Sequence, residues 1–357
     1  MTESSPSSHR CRDTVELGVP AFPFRVGTTP VSRAVEAEAA GADAVWFSDD
    51  LVSMVSPTAW RADGGPLARA VPDPHHRTDP FVAAAGAMLA CRRARIGISG
   101  IDRRRQAVDV VRAAASLAEM GPDRLVLALR ADGLGTDAAA TGRRALLDVV
   151  AELGTSPTGD GQPGGTSFEL LLASSDHRAA EAAGSCGAGW LPSAAAVGPV
   201  EYSAGLARLR RAGQSCAPVA GAAVPGLVVH CVIHPDAAVA DAALSSRLVR
   251  ARLAMAMFEA RDDDRRHVLV QWARGAGDDD AAGQLCDAVL EGDGPAIVPH
   301  GTPDQVVRAL EPYVDGGARR LVLDNLAALG CPGEQGAADE ALAATLRLAR
   351  LTFRAST

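Results

Sequence analysis

The chain has 357 residues, 47% hydrophobic and 22% charged, with a formal net charge of -8. Such a chain can bury a large core, and its acidic balance excludes general nucleic-acid binding through bulk charge. All 35 basic residues are arginine, so no Schiff-base lysine, lysine general base or Walker-type phosphate lysine is available.

Residues 1–14 are polar and lack an apolar signal core, so they read as a disordered tail. Residues 15–357 read as one domain. "VELGVP" (15–20) has strand character. In "TTPVSRAVEAEAAG" (28–41), Thr29 caps a helix, Pro30 opens it and Gly41 stops it. "AVWF" (44–47) is the next strand, and a proline-rich connection leads to a helix at 79–92 and the strand "ARIGISG" (94–100). Helix 105–119, strand "RLVLAL" (124–129), helix 139–153 and strand "FELLLAS" (168–174) follow. Then come helix 176–184, the short run "GWLP" (189–192), helix 200–212 and strand "GLVVHCVI" (226–233).

The closing unit is the most regular. Thr302 and Gln305 form a capping box, Val307, Leu310 and Val314 make one apolar stripe, and Gly316 and Gly317 end the helix before "RLVLDN" (320–325). The region 234–300, helical in pattern with acidic runs, reads as an insertion before this last unit. About eight strands alternating with helices predict an α/β fold of the TIM type, a (β/α)8 barrel, with chemistry at the carboxyl ends of the strands.

Several residues stand where that chemistry is expected. "GADAVWFSDDL" (41–51) delivers Asp49 and Asp50 to the end of the second strand. Two adjacent carboxylates either both ionise or share a proton as an acid–base dyad. Arg103, Arg104 and Arg105 follow the third strand, where they suit an acidic tail or a phosphate. "DPHHR" (73–77) is a second basic cluster on a connection. Trp60, on the loop after the second strand, is weighed evenly between packing and lining a substrate pocket.

Trp46 and Phe47 alternate within a strand and read as packing residues. His230 and His234 share one strand face, and interior or loop histidines are favoured there over a metal pair because a third ligand is missing. "GLGTDAAATG" (133–142) lacks dinucleotide-turn spacing. The seven cysteines, Cys11, Cys91, Cys186, Cys216, Cys231, Cys286 and Cys331, include no Cys-x-x-Cys pair, which fits a reducing cytoplasm. The longest apolar stretch is broken by Pro218 and Pro225, so no membrane span is expected.

The order of "AEAAGADAVWFSDDL", "DPFVAAAGAMLACRRARIGIS", the helix before "RLVLAL" and "HGTPDQVVRALEPYVDGGARRLVL" resembles the luciferase-like monooxygenase superfamily, and most closely its coenzyme F420-dependent branch, over most of residues 15–352. The similarity extends to phthiodiolone ketoreductases and methylene-tetrahydromethanopterin reductases. It implies a luciferase-like barrel, a homodimer formed through the early helices, and hydride transfer between a deazaflavin, with FMN second, and an organic small-molecule substrate.

On this resemblance Asp49 matches the family aspartate and Asp50 stands where histidine is usual. Ser99-Gly100 matches a strained, often cis, peptide supporting the cofactor ring. Ser175, His177 and Arg178 match a phosphate-binding helix start, opposed by Asp176. Arg130 and Asp132 intrude before Gly133 and Gly135, where relatives have a Gly-x-Gly turn; Arg130 is then a substrate-side residue, with Trp60 and Arg103. These departures keep two alternatives in play. One is a cofactor-free member catalysing acid–base cyclisation or isomerisation; the other is a non-catalytic partner subunit, as in bacterial luciferase.

Overall fold

The computed structural model describes residues 14–21, 28–49, 55–75, 78–101, 105–130, 144, 147–149, 168–214, 224–258, 264–291 and 298–354. The expected tail over residues 1–13, Asp50, Arg103, Arg104, the glycine turn at 133–142 and the segment 155–167 lie outside them.

The strands are β1 (Glu16–Pro20), β2 (Ala44–Ser48), β3 (Arg95–Ile101), β4 (Leu125–Arg130), β5 (Phe168–Ala173), β6 (Gly189–Trp190), β7 (Leu227–Ile233), β8 (His300–Gly301) and β9 (Arg320–Asn325). All pair in parallel, in the order β6-β5-β4-β3-β2-β1-β9-β7-β8. Just past β6, Ser193 bridges to Val228 of β7, and Val228 N–H donates to Pro192 O at 2.8 Å. That bridge closes the ring. β8 pairs only with Val232 and Ile233 at the end of β7, so it is an accessory strand added to the expected barrel.

Local chemistry sets the helix ends where the sequence placed them. Thr29 and Ser32 form a reciprocal capping box, with Ser32 N–H donating to Thr29 Oγ1 at 3.1 Å. At the closing helix, Pro303–Asp315, Thr302 N–H donates to Gln305 Oε1 at 2.8 Å. Gly41 and Gly317 leave their helices with φ of 102° and 105°, in the left-handed region that favours glycine.

Alternation along each strand sorts side chains between two apolar regions. Leu17, Val45, Phe47, Ile96, Ile98, Leu127 and Leu323 point outward to the helices in the main core. Ala44, Trp46, Val126, Ala128, Leu171, Leu191 and Val322 fill the barrel interior. Beneath them, at the amino ends of the strands, sits a buried ionic cluster. Arg320 donates to Glu16 Oε1 at 2.6 Å and Glu169 Oε2 at 2.8 Å, and Arg95 bonds the same two carboxylates at 3.1 and 2.7 Å. The cluster plugs that end of the barrel.

Trp46 lies above this plug, its ring centroid 5.9 Å from the Arg320 guanidinium carbon. Only glycines on the flanking strands make room for it. A Cβ on Gly18 or Gly97 would lie 2.7 Å from the indole nitrogen or 2.3 Å from Cδ2. The barrel is therefore closed below Trp46 and hollow above it.

Between β7 and β8 lie the helices Ala237–Leu244, Arg247–Phe258, Asp264–Ala273 and Asp279–Glu291. Their apolar faces form a second core with Trp60, Leu67, Leu326 and Leu329. Among the described residues, no helix is long and apolar enough to cross a membrane.

Candidate active site

Above Trp46, at the carboxyl ends of the strands, a cavity of about 120 Å³ opens among Ser48, Ser99, Gly100, Arg130, Ser174, Ser175, Ser193, His230, Arg252 and Asp324. Strand parity places Ser48, Ser99, Arg130, His230 and Asp324, which continue the inward rows that carry Trp46, Gly97, Ala128, Val228 and Val322 lower down. A larger cavity of about 260 Å³ lies outside the barrel, against helices Pro30–Ala39 and Gln335–Arg354, and is lined mainly by alanine and leucine side chains. Size favours the outer cavity, whose wall also carries Arg33, Glu36, Asn325, Gln335 and Asp339; position favours the inner one, which opens at the carboxyl ends of the strands, where a barrel keeps its chemistry.

The sequence-selected residues separate on this map. Ser99, Gly100, Arg130 and Ser175 line the inner cavity. Gly100 has φ of 75°, and the β3–β4 register shifts between Ile98 and Ile101. This bulge turns the backbone at the cavity wall with every described peptide bond trans, in place of the often cis peptide that the resemblance implied at Ser99-Gly100. Ser175 Oγ accepts from Ser193 N–H at 3.1 Å, linking the ends of β5 and β6.

Asp49 is buried but is not among the residues lining the cavity. Arg105 grips it with a fork, Nε and Nη2 each at 2.7 Å, and also reaches Asp79 at 2.7 Å. Burial works to raise the Asp79 carboxyl, but hydrogen bonds from Arg105 and from the Val82 and Phe81 N–H groups, with the charge of Arg105, hold it below its usual range. The guanidinium also stacks over Phe81, 5.0 Å from its centroid. Arg105 thus ties the end of β2 to the loop after β3, and Asp49 has an arginine partner.

His177 and Arg178 are largely exposed and do not line the cavity. The carboxylate of Asp176 caps their helix, accepting from Arg178 N–H at 2.9 Å, and stands 3.6 Å from His177 Nδ1. A phosphate at this helix start would meet a resident negative charge. Trp60 is fully buried in the second core and donates its indole N–H to Val71 O at 2.7 Å. It is a packing residue, away from the cavity. Trp46 and Phe47 are buried as expected, and Trp46 also lines the cavity floor.

The residues sequence reasoning did not assign are Asp324 and Arg252, and with them the orientation of His230. Register pairs His230 of β7 directly with Asp324 of β9. His230 Nδ1 lies 2.8 Å from Asp324 Oδ2, and Arg252 donates to the same oxygen through Nε at 3.3 Å and Nη2 at 3.1 Å. Burial alone would raise the Asp324 carboxyl. The charge of Arg252 and the bonds from His230 and Arg252 outweigh it and bring the group to about 2. Arg252 comes from the inserted helix Arg247–Phe258, which also contributes Ala256 to the cavity wall.

No family model and no curated protein sequence matches the chain. Solved structures do. The chain is similar to an F420-dependent secondary alcohol dehydrogenase solved with an F420–acetone adduct, at 16% identity and TM-score 0.59, over 93% of this chain and 99% of that one. It is similar to the coenzyme F420-dependent tetrahydromethanopterin reductase of Methanopyrus kandleri, at 14% identity and TM-score 0.54, over 89% and 96%. The oxygenating constituent of 3,6-diketocamphane monooxygenase from Pseudomonas putida, solved with FMN, aligns at 14% identity and TM-score 0.54, over 93% and 96%. The fold is that of the luciferase-like TIM barrels. A parallel barrel keeps its chemistry at the carboxyl ends of its strands; the site itself must say what that chemistry is.

The cavity can be tested against the cofactors of those neighbours. Its serine hydroxyls and the Arg130 guanidinium suit the dione edge of a flavin or deazaflavin ring. The indole N–H of Trp46 is buried against Gly18 and has no hydrogen-bond partner among the described residues. The volume of about 120 Å³ is below the ~300 Å³ of the smallest ordinary ligand pockets, so the enclosed part takes a small substrate or one ring edge. The residues fit the ring's polar edge, while among the described residues the expected phosphate position is the Asp176-capped helix start.

Proposed function

We propose that the chain is an oxidoreductase moving a hydride between deazaflavin coenzyme F420, with FMN as the second choice, and a small organic molecule. The observation that carries this reading is the polar cavity at the carboxyl end of a barrel whose solved neighbours include F420 and FMN proteins. Ser99 and Gly100 would support the ring, Arg130 and Ser175 would meet its polar edge or the substrate, and His177 and Arg178 would meet the phosphate. When bound, the cofactor supplies a hydride donor or acceptor. Within the chain, Trp46 excludes water from below, Arg105 neutralises Asp49 beside the site, and the inserted helix Arg247–Phe258 covers the cavity.

A homodimer in the cytoplasm completes the proposal. The exposed apolar side chains Val35, Val82 and Leu89, on the early helices Pro30–Ala39 and Pro80–Ala90, support self-association there. One observation favours a second reading: the buried His230–Asp324–Arg252 cluster is acid–base equipment that needs no cofactor. Anaerobic mixing with reduced F420 or FMN and a panel of small ketones tests the first reading. Substrate-dependent reoxidation supports it, and reoxidation no faster than without enzyme for every pairing counts against it.

A further inference from the structure

We propose that His230 is a catalytic residue that exchanges a proton with the oxygen of a small hydroxyl- or carbonyl-bearing substrate in the barrel cavity, with Asp324 and Arg252 as its positioning residues. The hydroxyl or carbonyl substrate class rests on the redox reading. The proton-transfer geometry stands on the cluster itself.

Three features of the cluster carry the inference. First, the register of β7 against β9 puts His230 and Asp324 side by side in the inward row, at the level where the cavity begins. Second, the 2.8 Å contact from Nδ1 to a carboxylate oxygen fixes the neutral imidazole as the Nδ1–H tautomer. That leaves Nε2 as the lone-pair nitrogen of a ring that lines the cavity. Third, Arg252 shares the same carboxylate oxygen at 3.1 Å. Arg252 and His230 thus hold Asp324 from two sides, which fixes the carboxylate and with it the ring plane of His230.

The charged or titratable side chains lining the cavity are Arg130, His230, Arg252 and Asp324. Two are arginines and one is a carboxylate committed to both partners. His230 is the imidazole of that set, and with Nδ1 engaged by Asp324 its second ring nitrogen is the one left to accept or donate a hydrogen bond in the cavity. Asp49, the acid that sequence alone puts forward, lies outside the lining and is forked by Arg105. The serine hydroxyls can pass a hydrogen bond but not set the proton balance.

In the oxidising direction the substrate O–H bond breaks and an Nε2–H bond forms on His230. The carbinol C–H pair leaves as hydride, for which the deazaflavin or flavin is the named acceptor, and the C–O bond becomes a carbonyl. In the reducing direction the imidazolium returns the proton to the oxygen as the carbon takes up hydride. Charge and atoms balance in both directions. Asp324 stays a carboxylate throughout.

The test uses the full chain and two independent readouts. In the first, trifluoroisopropanol, a secondary alcohol small enough for the cavity, is titrated into wild type, His230→Ala and the volume-conserving His230→Gln. Binding is read by fluorine NMR, and the His230 ring by nitrogen-15 NMR. The proposal expects the Nδ1–H tautomer in the neutral ring, an Nε2 shift on alcohol addition, and about tenfold weaker binding in both variants. In the second, the protein loaded with F420 or FMN is assayed on small alcohols and ketones. His230→Ala should lose about 100-fold in kcat with unchanged cofactor affinity, and added imidazole should restore part of the rate. Asp324→Asn should alter the pH profile, a change that simple packing loss would not produce.

Equal alcohol binding by wild type and both variants, with no change at Nε2, overturns the proposal. If cofactor binds and turns over equally in wild type and variants, the redox reading stands and His230 is released from its role. If neither cofactor binds but the alcohol still engages Nε2, the redox reading fails while the proton-transfer assignment holds.

Discussion

Replacing Arg320 with methionine removes the cation that the partly buried Glu16 and the buried Glu169 share. In the wild type, burial alone would raise the Glu16 carboxyl, but the charge and hydrogen bonds of Arg320, with those of Arg95, outweigh it and pull the group down from 4.5 to about 2. At about 1.4 kcal/mol per unit, that drop corresponds to roughly 3 kcal/mol of folding stability at neutral pH. A carboxyl depressed in the folded state stabilises fully above its unfolded value, and the benefit is lost as pH falls through the folded value. The window here runs from about 4.5 down to about 2. Arg320→Met should therefore lower the unfolding free energy at pH 7 by about 3–5 kcal/mol, the usual cost of stranding buried charge. The penalty should shrink by roughly half by pH 3, because the variant's Glu16 takes up its proton earlier while the wild type is losing its own advantage. Urea unfolding at pH 7, 5 and 3 reads both numbers. A penalty below about 1 kcal/mol, or one constant with pH, would refute the view that this cluster is an ionic plug.

Three further outcomes follow from the same geometry. Gly97→Ala forces a methyl to 2.3 Å from Trp46 Cδ2, and should cost about 1–3 kcal/mol and a fall of a few degrees in Tm, checked by calorimetry. Asp176→Ser keeps a cap on the helix His177–Ser185 while removing its negative charge; F420 or FMN should then bind about two- to fivefold more tightly, by isothermal titration, if the phosphate docks there. Trp60→Phe loses the bond to Val71 O and should cost about 1 kcal/mol in urea unfolding without changing cofactor affinity, because Trp60 packs in the second core.

The fold was legible because its signals are local. Thr29 with Pro30, Thr302 with Gln305, and Gly41 and Gly317 mark element ends through hydrogen bonds within a few residues, and parallel strands covered on the outside show as continuous apolar runs. The alternation β-α-β then leaves few topologies. The site was legible only in part. Ser99, Gly100, Arg130 and Ser175 fall at strand ends, where a barrel places its cavity, and they do line it. Asp49 falls there too, yet a residue distant in sequence, Arg105, engages it.

Asp324 was within reach, since Arg320, Val322 and Asp324 occupy alternate positions on one strand and an inward acid at a carboxyl end is itself a signal. Arg252 was not. It arrives from an inserted helix, and no spacing in the sequence brings residue 252 to residue 324. His230 illustrates the same limit: its strand face was readable, but its partner was set by register between β7 and β9, which the sequence does not write down.

The most direct measurement is a fluorescence titration of the purified full chain with coenzyme F420 and, separately, with FMN. Saturable binding at micromolar or lower Kd for one of them, weakened when Arg130 or Ser175 is replaced, is the result the proposed hydride-transfer function predicts. A folded protein that binds neither cofactor would contradict the account and pass the cavity to cofactor-free acid–base chemistry.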